Sequence, residues 1–266
     1  MTIVSFAIAV FGAGVAMSLA MGLATLIERR TGNSGWIDVA WTFGLGATGA
    51  AGALLPFGDG PIQRRLLVAA MAAAWAARLG LHIAGRTRQI AEDPRYAKLK
   101  RDWGEEAPRK LARMLQMQAL VSLPLALGIL LAAHNSSPAL GVQDIVGILV
   151  FLAGIAGGAV ADAQLRAFAR SGQGGVCDRG LWAWSRHPNY FFECVLWCSY
   201  AVIAPSVGYP WGWLALLAPA CIALLLVRIS GIPPLEEHML AKHGSAYRAY
   251  QARTSALVPL PPRSKA

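Results

Sequence analysis

The sequence predicts an all-α integral membrane protein, a bundle of seven transmembrane helices with its N-terminus outside and its C-terminus cytoplasmic. Three observations predict it. Of the 266 residues 56% are hydrophobic and only 14% are charged, where a soluble domain carries about 25% charged residues. Seven apolar stretches, about 3–27, 35–55, 65–85, 114–133, 143–165, 189–205 and 211–232, reach or approach the roughly 20 residues of helix that cross a hydrocarbon core. With that count and an outer N-terminus, 21 Lys and Arg fall on the inner side against Arg64 and Arg65 on the outer, with Arg78 inside a helix. Cytoplasmic loops carry that bias.

The first stretch, MTIVSFAIAVFGAGVAMSLAMGLATLIERR, has its positive charge at the far end, unlike a signal peptide, and reads as a first span. The second contains GLGATG (44–49), a match to G-x-G-x-x-G. A dinucleotide loop needs that motif between a strand and a helix start; inside a span, small residues let helices approach closely, so packing is the reading. The segment 86–110 has breaks at Pro94 and Pro108 and between them a short basic helix placed at the interface. The sixth stretch is short, and the third and fifth run on into polar helix. Residues 236–254 form another polar helix, interrupted near Gly244, before a Pro-rich tail. One membrane domain is expected, with the first four helices in about 1–133 and the last three plus cytoplasmic loops in about 134–266.

The net charge of +10 does not point to nucleic acid, because such a binder needs a basic face on a soluble scaffold. Here the basic residues fall between apolar stretches, where they set topology and offer sites for an anionic ligand. Cys177, Cys194, Cys198 and Cys221 form no C-x-x-C pair, so free thiols are expected. His238 and His243 are five apart and off one helical face, which fails the H-E-x-x-H zinc geometry. No metal is expected.

The polar cluster SRHPNYFFE (185–193) at the head of an apolar run needs a reason, since intramembrane polar residues are functional by default. Pro188 suits a first helical turn, whose free N–H groups make an anion site. Asn189 and Glu193 share a face. Upstream lie Arg179, Trp182, Trp184, Arg186 and His187, and the end of the fifth helix adds Asp162, Arg166 and Arg170. Together they supply cations for phosphates, an aromatic for a base, and a carboxylate and amide for ribose or nicotinamide. The plainer reading is snorkelling arginines and a helix cap. In SGWIDVAWTFG, Asp38 lies in a helix between Trp36 and Trp41 with no basic residue within one turn. An unpaired carboxyl there stays protonated and donates to a carbonyl oxygen; a packing role or a salt bridge to Arg78 is the alternative.

RGLWAWSRHPNYFFE, the later GIPPLEEHMLAKHGSAYRAYQARTSALVPLPP and the segment GNSGWIDVAWTFGLG (32–46) together resemble the steroid 5-alpha-reductase family, in particular its bacterial branch. The resemblance implies seven transmembrane helices, NADPH bound from the cytoplasmic side, and reduction of the C4–C5 double bond of 3-oxo-4-ene steroids. It places Asp162, Arg166, Arg170, Arg179, Asn189, Glu193, Trp197 and Arg228 at cofactor positions; beyond those positions, Trp182, Arg186, His187, Tyr190 and Glu236 complete the expected cofactor set. Ile232 and Glu236 stand where animal members carry a histidine and a tyrosine. Asp38 resembles their catalytic glutamate, and Trp75, three before Arg78, falls where they have a tyrosine. His82 is either a cofactor contact or an interhelical hydrogen bond. Trp36 and Trp41 flank the expected substrate, a lipophilic enone entering from the bilayer into a pocket of the first four helices. Membrane lipids surround the chain, no obligatory protein partner is implied, the Ala, Gly and Arg content suits a GC-rich bacterial genome, and the expected location is the bacterial inner membrane. Two other readings stand beside this one. Isoprenylcysteine and phospholipid methyltransferases share an RHP-x-Y segment and a nearby glutamate pair, here Glu236 and Glu237, and use S-adenosylmethionine. A non-catalytic lipid-binding or assembly role is the third.

Overall fold

The computed structural model describes residues 1–263. It is helical, with no strand among those residues. Twelve α-helices follow in order: α1 Ile3–Thr31, α2 Gly35–Leu54, α3 Ile62–Thr87, α4 Pro94–Trp103, α5 Ala107–Val121, α6 Leu123–Ala133, α7 Val142–Arg170, α8 Leu181–Trp184, α9 Pro188–Ile203, α10 Leu217–Leu224, α11 Ile232–His243 and α12 Ser245–Arg253. Five runs are long and apolar enough to cross a membrane: Ile3–Thr31, Ile62–Thr87, Pro94–Ala133, Val142–Arg170 and Pro210–His243. The second and sixth expected spans are helices too, α2 with 20 residues and α9 with 16.

Two boundaries differ from the sequence reading. The fourth stretch starts earlier, at Ala107, and breaks at Ser122, because Pro124 brings no N–H to continue the ladder. The seventh is not one α-helix: Pro210–Leu216 is a 3₁₀ segment, Leu225–Ile229 is a π turn, and the run ends at Gly231 before α11. Gly231 sits so close to the backbone of Leu226 that a Cβ would overlap it.

The chain forms two compact units, each made of two stretches: unit 1 is Met1–Gly147 with Tyr200–Cys221, and unit 2 is Ile148–Ser199 with Ile222 onward. In unit 1 α2 is central, packed on α1, α3 and α6. The glycines of GLGATG make this possible, each facing a different neighbour: a Cβ on Gly44 would overlap Ala20 of α1, on Gly46 Ala76 of α3, and on Gly49 Ile129 of α6. The packing reading of that motif therefore holds. A Thr2–Ser5 capping box starts α1, and Gly32 in the left-handed region (φ 69°) ends it.

At the start of α3, Arg64 is buried and chelates Asp144 through Nε and Nη2 at 2.7 and 2.9 Å, while Nη1 donates to the carbonyls of Asn135 and Ser137. Arg65 Nε donates to Ala53 O at 3.0 Å, closing the end of α2. Both arginines expected on the outer side are thus bonded to protein groups.

Candidate functional site

In unit 1 the chemistry gathers at the start of α2. Pro94 and the N-cap Asp93 start α4, where Asp93 Oδ1 accepts from Arg95 N at 3.0 Å. This seats Arg95 and Tyr96 against Asp38. Arg95 Nη2 donates to Asp38 Oδ2 at 2.5 Å, and the Tyr96 hydroxyl donates to Asp38 Oδ1 at 3.0 Å. The same guanidinium donates to both oxygens of Asp93. Burial pushes the Asp93 carboxyl up, but the bonds and charge of Arg95, with Arg86 behind it, outweigh this and hold it below its ordinary value. A second cluster braces the first: Lys100 Nζ bridges Glu28 and Glu92, and Glu92 accepts from Ser34 N at 2.8 Å. Asn33 ties α2 to the end of α3 by donating to Thr87 O and Ile90 O.

The expectation that Asp38 is unpaired is corrected. Its partners come not from its own helix but from α4, more than fifty residues on, and a carboxylate held by a guanidinium is an acceptor. Tyr96, buried at 6% exposure, is the donor beside it. The sequence reading missed Arg95 and Tyr96 by treating 86–110 as an interfacial basic helix; the signal available was the Asp93-Pro94 helix start that fixes their register. Trp75 is 1% exposed and packs edge-on against Trp41 at 6.1 Å, a core contact. Trp41 Nε1 donates to Ser122 Oγ at 2.7 Å, and Trp36 lies 6.0 Å from the Arg88 guanidinium.

Unit 2 contains the SRHPN segment, held by the chain's own end. Arg186 N donates to Ser255 O, Ser185 Oγ to Leu257 O, and Leu260 N to Trp184 O, so residues 254–260 form a strap along 184–187. The Arg186 side chain donates through Nε to Glu236 Oε1 at 2.6 Å and through Nη1 to Thr254 O and Gln251 O. Glu236 Oε1 also lies 3.1 Å from His187 Nε2, and Oε2 accepts from Gln251 at 2.8 Å. Arg186 and Glu236, expected at the cofactor, are bonded here as a lock. His187 stacks on Tyr190 at 5.4 Å, and its Nδ1 is buried with no hydrogen-bond partner among the described residues.

Asn189 Nδ2 points at Asp162 Oδ1 at 3.4 Å, and Glu193 accepts from Trp197 Nε1 at 2.9 Å, one turn along α9. The structure therefore brings Asn189 and Glu193 into side-chain pairs. Trp182 is corrected as the stacking surface for a base: it is buried and its indole N–H donates to Ala161 O at 2.9 Å, while Trp184 is the exposed ring. Arg166, Arg170, Arg179 and Arg228 are exposed, and Arg228 lies in the π turn, a feature frequent at functional sites. Burial pushes the Tyr250 phenol up, and its hydroxyl donates to Trp182 O, binding α12 beneath this segment.

The family model described as "Protein of unknown function (DUF1295)" matches residues 24–254, and the chain belongs to that family. Comparison with the curated proteins and with the solved structures found no match.

Proposed function

We propose that this member of the DUF1295 family is a membrane-embedded, NADPH-dependent reductase of the C4–C5 double bond of 3-oxo-4-ene steroids or similar lipophilic enones. In this reading α2 and α9 join the five longer runs to give seven spans, the N-terminus is outside, and the membrane is the inner membrane of a bacterium. The observation that carries it is the Tyr96–Asp38–Arg95 cluster. A buried phenol, oriented by a carboxylate whose charge an arginine compensates, is what a developing oxyanion needs.

When NADPH is bound it supplies a hydride to the β carbon of the enone. Negative charge then grows on the carbonyl oxygen. Tyr96 has one proton to donate, and because Arg95 already balances Asp38, the hydroxyl turns from Asp38 toward the substrate oxygen while staying within reach of both. The enolate would then collapse by taking a proton from water at the α carbon, which with the hydride at the β carbon completes the reduction.

Unit 2 fits a dinucleotide. A buried, unpartnered His187 Nδ1 is an unusual cost for a folded chain, removed when a ligand amide or hydroxyl meets it. Arg166, Arg170, Arg179 and Arg228 would hold phosphates, Asn189 and Glu193 would position ribose or nicotinamide, and Arg186 with Glu236 would keep His187 in place. The methyltransferase reading draws on the same RHP-x-Y segment. It has no use for a phenol donor beside Asp38.

The test is NADPH oxidation by the purified protein in detergent with progesterone or testosterone, beside Tyr96→Phe, Asp38→Asn and Glu193→Ala. Turnover in the wild type, a fall of about a hundredfold in Tyr96→Phe with cofactor binding kept, and a raised NADPH KM in Glu193→Ala are expected. No turnover and no NADPH binding, with S-adenosylmethionine bound instead, replaces the reductase with the methyltransferase.

A further inference from the structure

Asp93 is the second carboxylate on the guanidinium that compensates Asp38, and it takes the larger share. Arg95 turns its fork to Asp93, Nε to Oδ1 at 3.0 Å and Nη2 to Oδ2 at 2.9 Å, and gives Asp38 a single bond from Nη2 to Oδ2. A guanidinium edge closes on one carboxylate at a time. Because Asp93 takes that edge, Oδ1 of Asp38 is left to the Tyr96 hydroxyl at 3.0 Å. A fork closed on Asp38 instead would use both of its oxygens and displace the phenol. Asp93 is itself held fast: it is 3% exposed, its Oδ1 caps α4 by accepting from Arg95 N, its backbone N–H donates to Glu92 Oε1 at 2.8 Å, and Arg86 Nη2 stands 3.4 Å from its Oδ2. Charge points the same way. The Arg95 guanidinium lies 5.6 Å from the centre of the Tyr96 ring, so a phenol that must keep its proton to donate it meets a cation at close range, and Asp93 offsets that cation. The charged groups about the phenol are Asp38 from α2, Asp93 and Arg95 at the head of α4 and Arg86 from the end of α3; Lys100, further along α4, is taken up by Glu28 and Glu92.

We propose that Asp93 is a positioning residue for Tyr96: by holding the Arg95 fork it keeps the phenol on Asp38 and keeps it protonated at the working pH. It acts through Arg95 and touches no reacting atom. That Tyr96 then serves an enone rests on the reductase reading; the hold of Asp93 on the phenol does not.

Two readouts on the full-length protein in detergent test this. One is the fluorine NMR titration of 3-fluorotyrosine placed at position 96; the other is kcat and KM for progesterone with NADPH across pH. Asp93→Asn and Asp93→Ser both keep an oxygen that caps α4 and lose only the charge. Arg86→Gln leaves Asp93 in place and removes the cation behind it, and because the Arg86 side chain is 52% exposed this variant keeps the fold even where the Asp93 variants do not. The fluorine titration is expected to move about one pH unit lower in both Asp93 variants and to move higher in Arg86→Gln. In Asp93→Asn kcat falls about tenfold, the worth of one charge-assisted hydrogen bond, with the enone KM unchanged, and the alkaline limb of kcat moves down with the fluorine signal. A fluorine titration at the wild-type pH in the Asp93 variants, or one that moves lower in Arg86→Gln as well, overturns the hold on Tyr96. A titration that moves while an active enzyme keeps its kcat removes Asp93 from the reaction. Titrations that move as expected in a protein that reduces no enone keep Asp93 as the residue that sets Tyr96 and remove the reductase.

Discussion

Arg64 with Asp144 and Arg95 with Asp38 are both arginine–aspartate pairs of unit 1, the first at the start of α3 and the second joining α4 to α2. In the first, the side chains are 2% and 4% exposed and the guanidinium also donates to backbone carbonyls. In the second they are 28% and 18% exposed, and every acceptor of Arg95 is a carboxylate. A guanidinium tied to carbonyls of a loop holds backbone and cannot be released without loosening it. One shared between two carboxylates moves charge compensation from place to place. The difference separates an ion pair tied to backbone from one shared between carboxylates, and the proposed reduction uses only the second, although both would look alike in a list of salt bridges.

The largest effect tests the first pair. Arg64→Ala leaves Asp144 buried without a partner and frees three carbonyls, so a loss of about 3–5 kcal/mol is expected, seen as a lower Tm and poor recovery in detergent; a variant as stable as wild type would equate the two pairs. Next, Tyr96→Phe is expected to cost about 10²–10³ in turnover and no more than about 1 kcal/mol of stability, and a matching drop in Tm would make Tyr96 a packing residue. Gly46→Val forces a side chain into Ala76, an overpacking cost of about 1–3 kcal/mol readable as a Tm shift between those of the two preceding variants or smaller. The smallest effect is at Asp93. Its folded pKa lies below its ordinary 3.8, so its contribution is present above that pH and is lost as the pH falls through the folded value. Hydrogen exchange at the α4 N-terminus is expected to quicken in that acid window and not between pH 5 and 8.

Much of unit 1 was legible because apolar runs and glycines act locally. GLGATG places three glycines on one helix, and each leaves room for a different neighbouring helix, as small residues inside a span suggest. Asp38 stood out in the sequence as a carboxyl inside an apolar helix, but its partners did not. The search for its partner stopped one helical turn away, whereas Arg95 and Tyr96 arrive through tertiary packing from a segment whose polarity suggested only an interface. Unit 2 shows the same limit: SRHPN stood out as a polar cluster at the head of an apolar run, but nothing local revealed that Glu236 and the strap hold Arg186, or that the Trp182 indole is buried against Ala161. Long-range hydrogen bonds leave no periodic trace in a sequence.

The central claim is that hydride passes to an enone, and isotope transfer tests it most directly. The purified protein is incubated with progesterone and NADPH carrying deuterium at the transferring position of the nicotinamide, and the product is read by mass spectrometry and NMR. The account predicts a saturated 3-oxo product with one deuterium at the β carbon, formed far more slowly by Tyr96→Phe. Unlabelled progesterone recovered intact, with a methyl group transferred from labelled S-adenosylmethionine to a lipid acceptor, would contradict it.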